Sequence, residues 1–572
     1  MSIFTAALRR AAAGDKGMVT GEPDRPLRRT WGEIHQLARS ATGRLAAAGV
    51  RSGDAVAILA AQPVDVAPIA QGAWLVGASV TMLHQPTART DMRHYLPETA
   101  AVLRVIRARA VVLGAPFDGP AFADAVGQLR ASGVLVFTVA DLTAPGEVTV
   151  PDVEVGEDAT ALLQLTSGST ATPKAVRISH GNVWANLEAM CAAADIGPSD
   201  VMVSWLPLFH DMGMVGFLTL PMSRGIEVVS VTPSDFLSSP ALWPELISRY
   251  GGSVTAAPNF AYALTARVLA RAARTRADGA DAPALDLSTL RFALNGAEPV
   301  DVDAVKAFLA AGAAFGLPST AMVPAYGMAE ATLGVSFHPW GTPLQVDTVD
   351  GRSVEHERRA VSVAPDAPEP AQPRRYPVLG PPLPGIEVRV CGPEGPSGPD
   401  RAEREVGTLF LRGAAVTDTY FTVDGPVPTR AADGWLDTGD LGYLVDGRIV
   451  ICGRAKDVII MGGRNIYPTD IERVAEAVDG VRAGNAVAVR WTTPGGRESF
   501  AVGVESRAAG GSGSPEEVEG IVAAVRSAVT TAVGARPALV RVLPPGTLPK
   551  TPSGKIKRAA ASALLAADDP QG

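Results

Sequence analysis

Residues 165–174, LTSGSTATPK, constrain the chain more than any other stretch. They set hydroxyls, a glycine and a lysine in one short loop, directly after an apolar run at 161–165 that reads as a buried strand. A Gly/Ser/Thr loop at a strand end leaves backbone N–H groups free to face phosphate oxygens, and Lys174 adds a compact, mobile charge. Pro173 stiffens the exit. Nothing resembling Gly-Lys-Ser/Thr closes the loop, so the spacing disfavours kinase-type and GTPase-type readings. In isolation such a stretch is as readily a polar surface turn, and the choice rests on the downstream residues.

The surrounding text has an α/β rhythm. A helix is expected at 31–49, a strand at 55–60, a helix at 66–77 and short buried strands at 111–113 and 134–139, as a parallel sheet requires. Past the loop come a helix at 180–195 and a strand at 201–206, which delivers WLPLFHDMGMVG. There His210 and Asp211 sit in an apolar stretch, as a satisfied core pair or as a gate between a phosphate site and an apolar pocket. Strands at 227–230, 255–258 and 291–295 follow, the last two running into APNFAY and NGAEPV; strand C-terminal ends are where open α/β sheets bind ligands. AYGMAEATLG at 325–334 offers an aromatic, Tyr326, and a lone carboxylate, Glu330. Eight prolines between 363 and 385 mark a structured insertion or a long linker. Asp446-Gly447, between strand-like pieces at 442–445 and 448–452, signals a hairpin. A compact α+β unit then closes the chain: helix 470–478, strands 486–490 and 499–504, a Gly/Ser loop at 508–514, helix 516–533 and LPKTPSGKIKR at 548–558.

At 572 residues the chain predicts three or four structural units. No run approaches the roughly 18 apolar residues of a spanning helix, and the N-terminus lacks a signal-peptide core, so a cytoplasmic protein without stable membrane insertion is expected. Cys191, Cys391 and Cys452 lie far apart and read as buried thiols. A net charge of −8 without a basic cluster argues against nucleic acid, and scattered histidines argue against a transition-metal site. Of 51 basic residues seven are lysine, and Lys174, Lys456, Lys550, Lys555 and Lys557 all fall in motif-like stretches, where a mobile ammonium does what arginine cannot.

Read together, LTSGSTATPK, NGAEPV, YGMAE, DTGDLGY, GRAKDVIIMGGRNIYPTDIE and PKTPSGKIKR resemble the ordered signature set of the adenylate-forming superfamily of acyl-CoA synthetases, luciferases and peptide-synthetase adenylation domains. Gln164, WLPLFHDMGMVG, APNFAY, YGMAEATL and GGRNIYPTDIE resemble its fatty acyl-AMP ligase branch. The resemblance implies an α/β fold: a large N-terminal multi-subdomain adenylation domain over 1–453, with an insertion at about 345–378, a hinge at 454–457 about Lys456, and a small mobile α+β lid domain over 458–572. It implies ATP with Mg²⁺, a hydrophobic carboxylic acid, and a phosphopantetheine thiol, on an acyl carrier protein or on CoA, as acceptor.

By the same resemblance Lys555, Glu330 and His210 are catalytic, with Glu330 binding Mg²⁺. Thr166, Ser167, Gly168, Ser169, Thr170 and Lys174 hold phosphates; Asn295, Gly296, Ala297, Glu298, Tyr326, Gly327 and Met328 border adenine; Asp440 and Arg454 take the ribose. Phe209, Asp211, Met214, Pro258, Asn259 and Phe260 form the acyl pocket. Ala171 and Ala175 stand where the family usually has glycine, and LHQPTART at 83–90 departs from the branch's usual text. A bulky natural-product acid, and a non-catalytic homologue that binds adenylates, remain as alternatives.

Overall fold

The structure, a computed structural model of the chain, describes residues 1–87, 90–166, 173–278, 284–364, 366, 372–461, 463–493, 497–511, 513–551 and 554–567. Its first long helix, Trp31–Ala47, shows how local sequence sets the frame. Thr30 accepts from the Glu33 amide at 3.1 Å while the Glu33 carboxylate accepts from the Thr30 amide at 2.7 Å, so a capping box starts the helix. Trp31, Ile34, Ala38, Ala41 and Leu45 then form one buried stripe at helical spacing. The stripe meets helix Pro63–Leu75 at Gly72, where an added Cβ would lie 2.8 Å from that of Ala41.

These helices pack between two eight-stranded sheets. One has the order Gly334–Phe337, Met322–Gly327, Phe292–Asn295, Val254–Ala257, Val201–Ser204, Glu227–Ser230, Gly17–Thr20, Leu27–Thr30. The other runs Gly425–Pro428, Thr419–Thr422, Ala175–Ser179, Thr160–Leu165, Ser79–Met82, Ala55–Leu59, Ala108–Leu113, Leu135–Thr138. Their middles are parallel, but Thr160–Leu165 pairs antiparallel with Ala175–Ser179, which in turn pairs antiparallel with Thr419–Thr422. Both sheets are therefore mixed where the sequence implied parallel ones: the first also pairs Gly17–Thr20 with Leu27–Thr30 and Met322–Gly327 with Gly334–Phe337 antiparallel.

A four-stranded antiparallel sheet comes next, Ile386–Cys391, Gly407–Gly413, Leu436–Val445 and Arg448–Arg454, with Asp446 and Gly447 at positive φ in its last turn. The proline-bearing interval forms a small ordered unit. Val346–Asp350 pairs with Pro373–Pro377, and helix Gly351–His356 between them starts where Asp350 accepts from the Ser353 amide at 3.1 Å. Val349, Val354, Tyr376 and Val378 pack it against Tyr443, Val450 and Tyr467. The C-terminal part of the chain builds its own three-stranded sheet, Ala486–Thr492, Glu498–Glu505 and Leu539–Leu543, covered by helices Pro468–Glu476, Pro515–Val533 and Arg558–Ala567. The protein is thus a large α/β N-terminal domain with a small α+β C-terminal domain. All three cysteines are buried and free, and no helix among the described residues is long and apolar enough to cross a membrane.

Gly380 closes the return from the proline-bearing unit to the large sheet at φ +84°, where an added Cβ would lie 1.8 Å from the carbonyl oxygen of Phe337. Gly380→Ala is expected to cost roughly 2 kcal/mol or more. Calorimetry should show this as a melting temperature lower by about 2 °C or more; an unchanged melting temperature would contradict the packing described.

Candidate active site

Three chain segments meet at one end of a cavity of about 680 Å³. Strand Met322–Gly327 carries Tyr326, and the hairpin of Leu436–Val445 with Arg448–Arg454 places Asp440 directly opposite Arg454. The Tyr326 hydroxyl donates to Asp440 Oδ2 at 2.6 Å and Arg454 Nε donates to Oδ1 at 3.1 Å. Burial raises the Asp440 carboxyl above its usual range, with Arg454 and Tyr326 opposing that rise. A carboxylate held on both oxygens still has lone pairs for a vicinal diol.

Glu330 lies on a single turn, Ala329–Ala331, and is 9% exposed. Its Oε1 accepts from the Tyr420 hydroxyl at 2.6 Å, and the Lys174 ammonium sits 3.8 Å from the centroid of the same tyrosine ring. Tyr420 belongs to strand Thr419–Thr422 and pairs with Val176, so a single side chain fixes both the lysine at the loop's exit and the isolated carboxylate. Among the described residues there is no group of three His, Cys, Asp or Glu side chains fit to hold a metal ion. One carboxylate completed by phosphates and water suits Mg²⁺, which dehydrates reluctantly.

Lys555, from the turn before helix Arg558–Ala567, reaches the same cavity as Lys174, Tyr326, Glu330 and Arg454. Burial pushes its ammonium below the ordinary lysine range, while Asp211 opposes the shift. Asp211 lies 2.7 Å from His210 Nδ1 and accepts from the Met212 amide at 2.7 Å. Burial alone would raise the Asp211 carboxyl; His210 and Lys555 hold it below its usual value. His84 borders the cavity with its ring edge-on to Phe209 at 5.3 Å, and burial, aided by Lys557 and His210, lowers its pKa to about 4, so it is a neutral imidazole at physiological pH.

Two buried polar atoms here have no partner among the described residues. Asn295 donates to Asn259 at 3.1 Å but its Oδ1 accepts nothing, and Thr166 Oγ1 is likewise unpaired. Buried acceptors and hydroxyls are costly to leave empty. A phosphate fits the second, beside Thr166 and Lys174 at the cavity wall; Asn295, expected beside adenine, does not line the cavity and is turned to Asn259 instead.

The expected site residues therefore divide. Thr166 and Lys174 border the cavity, whereas Ser167, Gly168, Ser169 and Thr170 lie outside the described residues, as does Ala171. Gly296, Ala297, Gly327, Met328 and Lys456 are at its wall. Glu298 accepts from the Phe260 amide at 2.7 Å at the start of helix Asn259–Ala277 instead. Of the six residues expected for the acyl pocket, Phe209 lines it. Asp211 sits at the polar end beside Lys555, because a carboxylate against an alkyl chain would lack partners. Met214, Pro258, Asn259 and Phe260 do not line the cavity: Asn259 bonds Asn295, and Phe260 packs edge-on to Trp205 at 6.1 Å. Sequence reasoning misses Tyr420 and His84. The alternating text at 419–422 marks a strand, but nothing local ties it to a lysine some 250 residues earlier.

The AMP-binding enzyme family model matches residues 8–421. "Putative ligase Rv1013" of Mycobacterium tuberculosis is 51% identical over 568 residues, covering 99% of this chain and 100% of its own length. The long-chain-fatty-acid–AMP ligase FadD26 of Mycobacterium marinum is 32% identical over 93% of this chain and 90% of its own. A solved structure from work on fatty acyl-adenylate ligases of E. coli and L. pneumophila superposes with a TM-score of 0.86 at 29% identity, covering 99% of this chain and 98% of that one. The chain belongs to the AMP-binding, adenylate-forming family and resembles its fatty acyl-AMP ligase branch.

Tyr420→Phe keeps the ring under Lys174 and removes the bond to Glu330. Acid-dependent pyrophosphate release should fall about tenfold, the scale of one hydrogen bond to a charged group. Tyr420→Ala should cost more, since Lys174 also loses its support. Full rates in both variants would show that Glu330 and Lys174 hold their places without Tyr420.

Proposed function

We propose that this adenylate-forming ligase activates a hydrophobic, straight-chain carboxylic acid with ATP and passes the acyl group to a phosphopantetheine thiol on a carrier protein. The observation that carries the reading is the entry of Lys555, from the small domain, into a cavity whose other wall holds Lys174, Glu330 and an apolar arm. In the first step the acid's carboxylate oxygen bonds to the α-phosphorus while the bond from that phosphorus to the β-bridging oxygen breaks, and pyrophosphate leaves. Two anions must meet, so the work of the site is charge compensation.

Lys555 supplies it at the reacting oxygens and Lys174 at the leaving phosphates. Asp440 accepts from the ribose hydroxyls, with Tyr326 and Arg454 fixing its orientation. Glu330 would hold Mg²⁺, which offsets phosphate charge when bound. His210, tied to Asp211, closes the polar end of the apolar arm. No nucleophilic side chain is required, because the substrate itself attacks.

Two features favour a carrier protein over free CoA. The unit around helix Gly351–His356 grips the small domain: Glu355, fully buried, accepts from Arg464 at 2.6 Å and pairs with Arg374, which lies 3.2 Å from Asp470. Such a grip restrains a swing about Lys456 and stands beside the thiol's way in. Residues 457–572 carry 13 basic and 12 acidic side chains, net +1, so the remainder carries −9, and an acidic carrier meets least repulsion at the small domain.

Lys555→Ala should remain folded and lose ~10²-fold or more in pyrophosphate release. Because the Lys555 ammonium is destabilised by burial, the wild-type rate should fall on the alkaline side below the pH at which an ordinary lysine titrates; Lys555→Arg, always charged, should lose that limb. Wild-type rates in the alanine variant would remove Lys555 from the chemistry. Offered CoA and a holo carrier protein in parallel, the intact protein should form thioester on the carrier, and Arg464→Ala should gain CoA ligation. Robust CoA ligation by the intact protein would overturn the choice of acceptor.

A further inference from the structure

Beyond the polar end, the cavity continues as an arm between helix His180–Ala194 and the strands Val201–Ser204, Val254–Ala257 and Phe292–Asn295. These strands are parallel and in register, Met202 beside Val254 and Val254 beside Phe292. Ala256 and Leu294 line the arm near the strand ends that face the nucleotide side, and Met202, Val254 and Phe292 line it at the opposite ends. The arm thus runs along the strands from Gly296 to the level of Phe292, four residue steps or about 13 Å at ~3.3 Å per step. Among the described residues, no charged side chain lines that stretch. Gly334 leaves it open, since a Cβ there would lie 2.9 Å from Leu383 and 3.3 Å from Met190.

Ile196, just past the left-handed cap Asp195, also lines the cavity. A polar clamp lies behind it. Arg291 donates to Asp200 at 2.8 and 3.0 Å and to the carbonyls of Ala194 and Asp195 at 2.9 and 2.7 Å, with its guanidinium 4.8 Å from the Trp340 ring. Asp200 also accepts from the Gly197 amide at 3.0 Å and from Ser253 at 2.7 Å. One guanidinium therefore ties the end of the helix to the foot of the Phe292–Asn295 strand, and Ile196 lies in the chain between its tethered points, Asp195 and Asp200. A longer chain must push out Ile196 or break charge-assisted bonds, each costing more than the ~0.8 kcal/mol that a further buried methylene returns.

We propose that Ile196, braced by the Arg291–Asp200 clamp, is the floor that limits the acid to about a dozen carbons. An extended chain advances roughly 3.5 Å for every three bonds, so ~13 Å admits eleven or so bonds beyond the carboxyl group. The apolar wall also excludes acids with a second, distal carboxylate, which would be buried without a partner. This inference rests on the proposed adenylation of straight-chain acids. The long-chain activity in the name of FadD26 is that protein's own.

The test is acid-dependent pyrophosphate release over even-numbered saturated acids from six to eighteen carbons, with the dodecanedioic acid as a further substrate. The rate constant kcat/KM should peak at ten to twelve carbons, drop tenfold or more by sixteen, and be negligible for the diacid. Ile196→Ala should move the drop to longer chains by at least two carbons, whereas Val254→Phe should move it to about eight, with ATP affinity retained as evidence of folding. A flat profile, or a length limit that neither variant shifts, overturns the floor while leaving the activity standing. Absence of acid-dependent release with every straight-chain acid overturns the proposed activity and the floor with it.

Discussion

One half-buried ammonium sets the terms for this molecule. Lys555 is drawn, half-buried, into a cleft where Asp211, Glu298 and Asp440 favour its charge and Arg454 opposes it. That placement is unfavourable for a lone lysine, and on the proposed activity it sets a partly desolvated ammonium where two anionic reactants would meet. Much of the remaining architecture serves to keep it there: the hairpin that carries Asp440 and Arg454, the His210–Asp211 pair, and the small domain whose last turn bears the lysine itself.

The grip on the small domain has the opposite energetic character. Glu355 is fully buried between Arg374 and Arg464, and Asn465 donates to its carbonyl at 3.0 Å. Taking such charges out of water costs several kcal/mol per ion, so the cluster contributes little net stability, yet breaking any one member would leave an uncompensated charge. That combination favours a defined docking geometry over raw strength. The cluster lies on a segment of the large domain far in sequence from Lys555.

Where the determinants were local, the sequence revealed them. The helix expected at 31–49 runs Trp31–Ala47, Asp446-Gly447 turns a hairpin, and the strands Val254–Ala257 and Phe292–Asn295 come from short apolar runs before Pro, Asn and Gly. The resemblance carried Lys174, Glu330, Asp440 and Lys555 to one cavity or its edge. What stayed hidden is non-local. Tyr420 meets Glu330 across 90 positions, Arg464 meets Glu355 across 109, and Ile196 becomes a floor through an arginine 95 residues away. Phe260 and Asn259 looked like pocket residues because they come after a strand end, but helix capping and the bond to Asn295 turn them elsewhere. Periodicity reports which face is apolar; it does not report which neighbour that face will meet.

The central claim is that this constellation makes an acyl-adenylate. Mass spectrometry of a thiol-free mixture of the protein, ATP, Mg²⁺ and dodecanoic acid addresses it directly. The account predicts dodecanoyl-AMP with an equal amount of pyrophosphate, both absent when the acid is omitted; ADP with phosphate, or nucleotide breakdown indifferent to the acid, would contradict it.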